Sequence, residues 1–269
     1  MNIKKGDLVP PIVKRFFRYD FRYGWHGRYK TWEDALKETT GYNTEAVLER
    51  VRESALKVKN GEAVYERDAI IYDSVQVQFP LLSTLLWVAS QNNNRLSIID
   101  YGGSLGTSYR QNYRFIKHLN HIEWKIIEQK VFVDEGRKNF ENEHLSFYYD
   151  LKECLQSFNE QPQLIMFSNS LAYLQEPYTI LNAVVNSGIS NLLLDLTPFI
   201  DEPNDRLTIQ KVPPVFYKAS YPAWFFSRLK MYAFLGKYYE HVFDFNRGEK
   251  INLSFQEVEY TGCLWTAKG

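Results

Sequence analysis

Five short apolar runs between residues 96 and 195, separated by helical patterns, constrain the fold more than any other feature of this chain. They are Leu96 to Asp100 (LSIID), Trp124 to Glu128 (WKIIE), Leu145 to Asp150 (LSFYYD), Leu164 to Ser168 (LIMFS) and Asn191 to Asp195 (NLLLD). YRFIKHL reads as a helix between the first two, and PYTILNAVVNSG as a helix ended by Gly188. Strands and helices alternating at this spacing imply parallel βαβ units with right-handed crossovers. The expectation is an open α/β sheet covered by helices on both faces.

Residues 1–95 read as an N-terminal helical extension packed on a core of residues 96–269. Thr31 with Asp34 has capping-box spacing, and Gly41 suits the end of that helix. Asn43 can cap a second helix carrying Val47, Leu48, Val51, Ala55 and Val58 on one stripe, stopped at Asn60-Gly61. A third starts near Pro80 and runs through LLSTLLWVAS, apolar nearly all round and therefore expected to be buried. After Asp195 the rhythm breaks into a proline- and aromatic-rich excursion at about 196–226, expected as a long functional loop. Ser227 can then cap a helix through LKMYAFLGK, and two strand patterns follow near HVFDF and EVEYTGCLW.

Bulk properties narrow the function classes. The 269 residues carry 32 basic and 32 acidic side chains, a balance that argues against a nucleic-acid-coating protein. Cys154 and Cys263 have no metal-ligand spacing and read as free thiols of a cytoplasmic protein. The N-terminal apolar stretch is broken by Pro10 and Pro11 and is too short to span a membrane. The basic, aromatic segment from Lys14 to Lys30 permits at most peripheral contact with a membrane or another anionic surface; a solvated edge is the alternative. No oligomeric state is legible.

The segment LSIIDYGGSLGTSY carries the chemistry. A strand ending in Asp100 runs into a turn holding Gly102, Gly103 and Gly106, with a helix beyond. Such a turn brings backbone amides close to a ligand at a helix start. The dinucleotide spacing G-x-G-x-x-G and the phosphate-loop GK[ST] are both absent. Asp100, Gly102, Ser104 and Gly106 instead resemble the D-x-G-x-G-x-G motif of Rossmann-like methyltransferases, with serine for the middle glycine. Glu128 closes the next strand, where a carboxylate can accept both ribose hydroxyls of an adenosine.

Over nearly its whole length the chain is similar to methyltransferases encoded in bacterial surface-polysaccharide loci, O-antigen and capsule clusters among them. The matching segments are GRYKTWEDALKETTGY, KVKNGEAVYERD, PLLSTLLWVAS, IIDYGGSLGTSY, the Glu128-Gln129 pair, LLLDLTPF and DRLTIQKVPPVFYKASYPAWFFS. Leu196 stands where the family often has arginine, and His26 where it tends to have an aromatic residue. The resemblance implies a class I methyltransferase fold, Rossmann-like, with a mostly parallel seven-stranded sheet. It implies S-adenosylmethionine as cofactor, with Asp100, Gly102, Gly103, Ser104, Gly106, Glu128, Gln129, Asp150, Ser168 and Ser170 around it. It also implies methyl transfer to a carbohydrate or a glycan precursor.

Candidate bases for activating an acceptor hydroxyl are Asp195, His26 and Tyr221, with Lys218 a further one. Candidate acceptor contacts are Tyr173, Arg206, Gln210, Tyr217, Lys218 and Trp224, because aromatic faces and hydrogen-bonding tips suit sugars. No metal site is expected. Two other readings share the strand-turn-helix: a nicotinamide-dependent sugar oxidoreductase or epimerase, and a non-catalytic binding protein on the same fold.

Overall fold

In the computed structural model the described residues are 23–40, 44–67, 69–213, 219–254 and 256–269. The expected caps at Gly41 and Asn43, the basic segment up to residue 22, Tyr217 and Lys218 lie outside them. In chain order the elements begin with β1 (Gly24–Tyr29), α1 (Trp32–Lys37), α2 (Thr44–Lys59), β2 (Tyr65–Arg67), β3 (Ile70–Tyr72) and α3 (Phe79–Ser90). Then come β4 (Arg95–Tyr101), α4 (Thr107–Ile116), β5 (His121–Ile127), α5 (Lys130–Asn139), β6 (Leu145–Tyr148) and α6 (Leu151–Gln156). β7 (Leu164–Ser168), a 3₁₀ turn (Leu171–Tyr173), α7 (Pro177–Ser187), β8 (Asn191–Ile200), β9 (Arg206–Lys211) and β10 (Ser220–Ser227) follow. The chain closes with α8 (Arg228–Leu235), β11 (Tyr239–Leu253) and β12 (Gln256–Ala267).

The five apolar runs form the five parallel strands, in spatial order β6-β5-β4-β7-β8. Alternation along β4 shows the double covering. Leu96 and Ile98 pack with α2, α3, α4 and α5 on one face, and Ile99 packs with α6, α7 and α8 on the other. β8 is buried at all ten positions, as expected of a central parallel strand covered on both sides. Ser227 caps α8 by accepting a hydrogen bond from the Lys230 amide, and Thr31 caps α1 by accepting one from that of Asp34.

The sheet does not stop at seven strands. β12 joins β8 antiparallel, β11 joins β12, and β1, β9 and β10 extend the order to ten. β10 then returns to pair with the far end of β8 through Phe226–Phe199 and Ser227–Ile200, so β8, β12, β11, β1, β9 and β10 close a six-stranded barrel. One strand can serve both sheet and barrel because it is bulged. Asp195 and Leu196 together oppose Gly262 on β12, and Leu196 takes a left-handed φ of 48°. Residues 191–195 therefore pair with β7, whereas 199 and 200 pair with β10.

The barrel corrects two expectations. The excursion at 196–226 is largely strand: Leu207 and Ile209 point outward under Ala35 of α1, while Phe225 joins Trp25, Leu253 and Val258 inside. The N-terminal segment is not purely helical, because it contributes β1 to the barrel and the β2–β3 hairpin. α3 is buried along Leu81, Leu82, Leu85, Val88 and Ala89, but Phe79 is 70% exposed. Cys154 and Cys263 are both buried free thiols. Among the described residues no helix is long and apolar enough to cross a membrane.

Candidate functional site

The C-terminal ends of β4, β5 and β7 and the bulge of β8 gather many of the sequence-predicted residues. Asp100 near the end of β4, Ser168 at the end of β7 and Asp195 at the bulge where β8 leaves β7 share the register that carries Ile98, Met166 and Leu193 to the α4 face. Asp100 is 1% exposed, and its Oδ2 accepts a hydrogen bond from Trp124 Nε1 at 3.2 Å. Burial pushes its carboxyl up to about 7, assisted by the negative charges of Glu128 and Asp195 and opposed by the Trp124 bond. Asp100 therefore lies beneath the glycine turn as its floor. A side chain at Gly103 would put its Cβ 2.5 Å from the Asp100 carboxyl carbon. Gly102 has φ +79°, and a Cβ there would come within 2.4 Å of Ser170 Cβ.

Glu128 sits half-buried just past β5, and its carboxylate accepts the Gln129 amide at 2.7 Å and the amide of Ser104. Burial raises its proton affinity and these two amides lower it. The glycine turn and the acid that closes the neighbouring strand are thus one hydrogen-bonded unit. Ser104, at the position of the missing glycine, has a left-handed φ of 53°. A left-handed residue with a Cβ is strained by roughly 1–2 kcal/mol. Ser104→Gly is expected to raise unfolding free energy by about 0.5–1 kcal/mol, because glycine's extra chain entropy offsets part of the relief. A loss of stability in urea titration would instead assign the Ser104 side chain a stabilising role.

Ser170 donates from Oγ to the Tyr101 carbonyl, and the Tyr101 ring stacks on Phe167 at 5.0 Å. Burial first, then the charges of Glu128 and Asp150, raise the Tyr101 phenol pKa, so both acids border this ring. Asp150 itself is the N-cap of α6, accepting the Glu153 amide at 2.8 Å. Gln129 is the exposed N-cap residue of α5.

Ser168 donates from Oγ to Asp195 Oδ2 at 2.8 Å. The other Asp195 oxygen meets Arg247 Nε at 3.3 Å, with both side chains 3% exposed or less. Burial raises the Asp195 carboxyl pKa, while Arg247, Ser168, the Leu196 amide and Arg67 oppose the shift. Arg247 was not among the sequence candidates. It belongs to a second bulge, where Arg247, Gly248 and Glu249 together oppose Tyr260 on β12. Glu249 in turn pairs with Arg67 of the β2–β3 hairpin at 3.0 Å. The next hairpin residue, Glu66, is 1% exposed and holds Arg110 at 3.0 Å and Thr107 at the start of α4. The N-terminal hairpin is thereby tied to both ends of the site.

The remaining candidates divide. Tyr173 and Tyr221 meet edge to face at 5.3 Å beyond the end of β7, and Gln210 is Tyr221's register partner on β9. His26, on β1, bonds the Tyr23 carbonyl at 3.0 Å and is the register partner of Ile209 on β9. Arg206 is spent as a clasp: Nε and Nη2 donate to the Gly27 carbonyl, each at 3.1 Å, and Nη2 also reaches Ser254. Trp224 stacks on Trp32 at 6.4 Å and donates to the Leu174 carbonyl. The structure sets these last three in barrel strands, His26 on β1, Arg206 at the start of β9 and Trp224 on β10, with the packing partners just named.

No family model matches the chain, and no curated protein sequence matches it. Among solved structures it is similar to the N-terminal domain of EvdMO1 crystallised with SAH and D-fucose, at TM-score 0.49 and 10% identity, covering 84% of this chain and 98% of that one. It is also similar to the glycopeptide N-methyltransferase MtfA complexed with S-adenosylmethionine, at TM-score 0.47, 10% identity and coverages of 70% and 94%. A third is magnesium protoporphyrin IX methyltransferase from Synechocystis PCC 6803 with SAM bound, at TM-score 0.45, 10% identity and coverages of 85% and 99%.

Proposed function

We propose that this protein is an S-adenosylmethionine-dependent methyltransferase acting on a sugar or sugar-attached group, an O-methylation in surface-polysaccharide synthesis. The observation that carries the reading is the Glu128 unit: a strand-end carboxylate bonded to the Ser104 amide of the glycine turn and to the Gln129 amide at the start of α5. Hydrogen-bonding ribose hydroxyls beside a glycine turn is the work such a carboxylate suits. The residues fit the group in a second respect. Gly102 and Gly103 let the turn pack directly on Ser170 and Asp100, where a Cβ would come within 2.4 and 2.5 Å, and so hold its backbone at the strand ends.

The cofactor, when bound, supplies an electrophilic methyl group on a sulfonium. The protein's contribution is chiefly alignment of the acceptor oxygen for an in-line displacement. Glu128 and the turn of residues 102–106 fix the adenosyl end. Ser168 and Ser170 lie at the end of β7, next along the sheet. Tyr173 and Tyr221 offer aromatic surface beyond them, suited both to a cation and to a sugar face. Asp195 has no exposed surface, so it acts on an acceptor proton only through Ser168, whose hydroxyl it holds.

Calorimetry with S-adenosylhomocysteine tests the assignment. Glu128→Ala is expected to weaken binding by about 10–100-fold, roughly the loss of one charge-assisted contact. Unchanged affinity, or binding of a nicotinamide dinucleotide in its place, would end this reading.

A further inference from the structure

Arg247 is built into the site at a cost that nothing among the described residues repays. Its side chain is 3% exposed, and among the described residues its one charged neighbour within ion-pair distance is Asp195. Among the described residues the enclosed Nη1 atom has no hydrogen-bond partner, and Nε makes no well-aligned hydrogen bond. A guanidinium has five N–H donors in a planar fork, so most of this one's capacity is unused. Buried donors are ordinarily paired, and leaving a charged one unpaired is expensive. The bulge at residues 247–249 is what brings Arg247 beside Asp195 at the bulge of β8, and such bulges commonly re-aim a side chain next to a site.

Asp195 does not exhaust the pair's capacity. One of its oxygens is engaged by Ser168, and the Leu196 amide also bonds the carboxylate. Arg67 adds a second positive charge that acts on the same carboxylate, from the hairpin that pairs with Glu249. A planar, oxygen-rich anion matches an underused guanidinium better than a neutral hydroxyl does.

We infer that Arg247 binds an oxyanion of the acceptor, either the carboxylate of an acidic sugar or the phosphate of a sugar phosphate. The inference rests on the methyl-transfer reading and narrows its substrate class from carbohydrate in general to anionic carbohydrate.

The test is thermal unfolding of the full chain saturated with S-adenosylhomocysteine, with added D-glucuronate, D-glucose 6-phosphate or D-glucose at matched ionic strength. One of the two anions is expected to raise the midpoint by about 2–4 °C, and D-glucose to leave it unchanged. Which anion responds identifies the group as carboxylate or phosphate. Arg247→Gln should abolish the response while S-adenosylhomocysteine affinity stays within about threefold of wild type. Arg247→Lys, which keeps the charge and loses the fork, should retain a weakened response. Should Arg247→Gln fold poorly, Asp195→Asn/Arg247→Gln removes both buried charges and must also lose the response.

Equal shifts from all three sugars, no shift from either anion, or a response that survives Arg247→Gln would each overturn the assignment. A more than tenfold loss of S-adenosylhomocysteine affinity in Arg247→Gln would move the residue to the cofactor's own carboxylate and overturn it too. Failure of the wild-type chain to bind S-adenosylhomocysteine would sink the methyl-transfer reading itself, a separate result.

Discussion

Asp195→Ala is expected to lower the unfolding free energy by about 3–5 kcal/mol, the usual cost of removing one partner from a buried ion pair. Arg247 would keep its 3% exposure and lose its neighbouring carboxylate. Ser168 would lose the acceptor of its hydroxyl bond. The pair itself contributes little net stability, because burial already outweighs Arg247 in setting the Asp195 proton affinity. Removing both charges in Asp195→Ala/Arg247→Met is therefore expected to recover most of the loss. The coupling between the two substitutions, read from urea titrations of the four proteins, should be about 2 kcal/mol or more. A single-variant loss below about 1 kcal/mol would mean that Arg247 finds another partner or water when Asp195 is absent.

The same pair shows where sequence reading stops. The five parallel strands are legible because a strand buried on both faces must be a nearly continuous apolar run, as NLLLD is. The glycine turn and Glu128 are legible because their spacing is local: turn, strand and acid occur in chain order. The barrel was hidden. Its closure depends on Leu196 adopting a left-handed φ, and leucine gives no hint of that conformation. β10 carries Pro222 between Tyr221 and Ala223, a residue that reads as loop until β10 is seen pairing across the barrel. β1, GWHGRY, has two glycines in six residues and reads as an irregular edge. Arg247 lies far along the chain from Asp195, so their pairing exists only after β12 sets the register between β8 and β11. The one signal in the chain was Asn246-Arg247-Gly248-Glu249 inside a long strand pattern, since an interior glycine often marks a bulge.

Asp100→Asn is expected to stabilise the ligand-free protein, and to do so more at pH 8 than at pH 5. An aspartate in the unfolded chain titrates near about 3.9. Burial under the glycine turn raises Asp100 to about 7. The folded state therefore holds its proton more tightly than the unfolded one. The associated stability is fully present below about pH 4 and is lost as pH rises through about 7. The difference between the two states corresponds to roughly 4 kcal/mol, of which about 3 kcal/mol is lost between pH 5 and pH 8. Asparagine stays neutral and can still accept the Trp124 bond, so it removes that loss. Glu128 and Asp195 are shifted in the same direction and act on Asp100, so they leave a residual slope of the same sign in the variant. Urea titrations at the two pH values decide it: the stability difference between variant and wild type must grow with pH. A difference independent of pH would show that Asp100 is ionised in the folded protein throughout. The glycine turn would then rest on a charged floor, and the amides above Gly103 would have to be its compensation rather than free for a ligand.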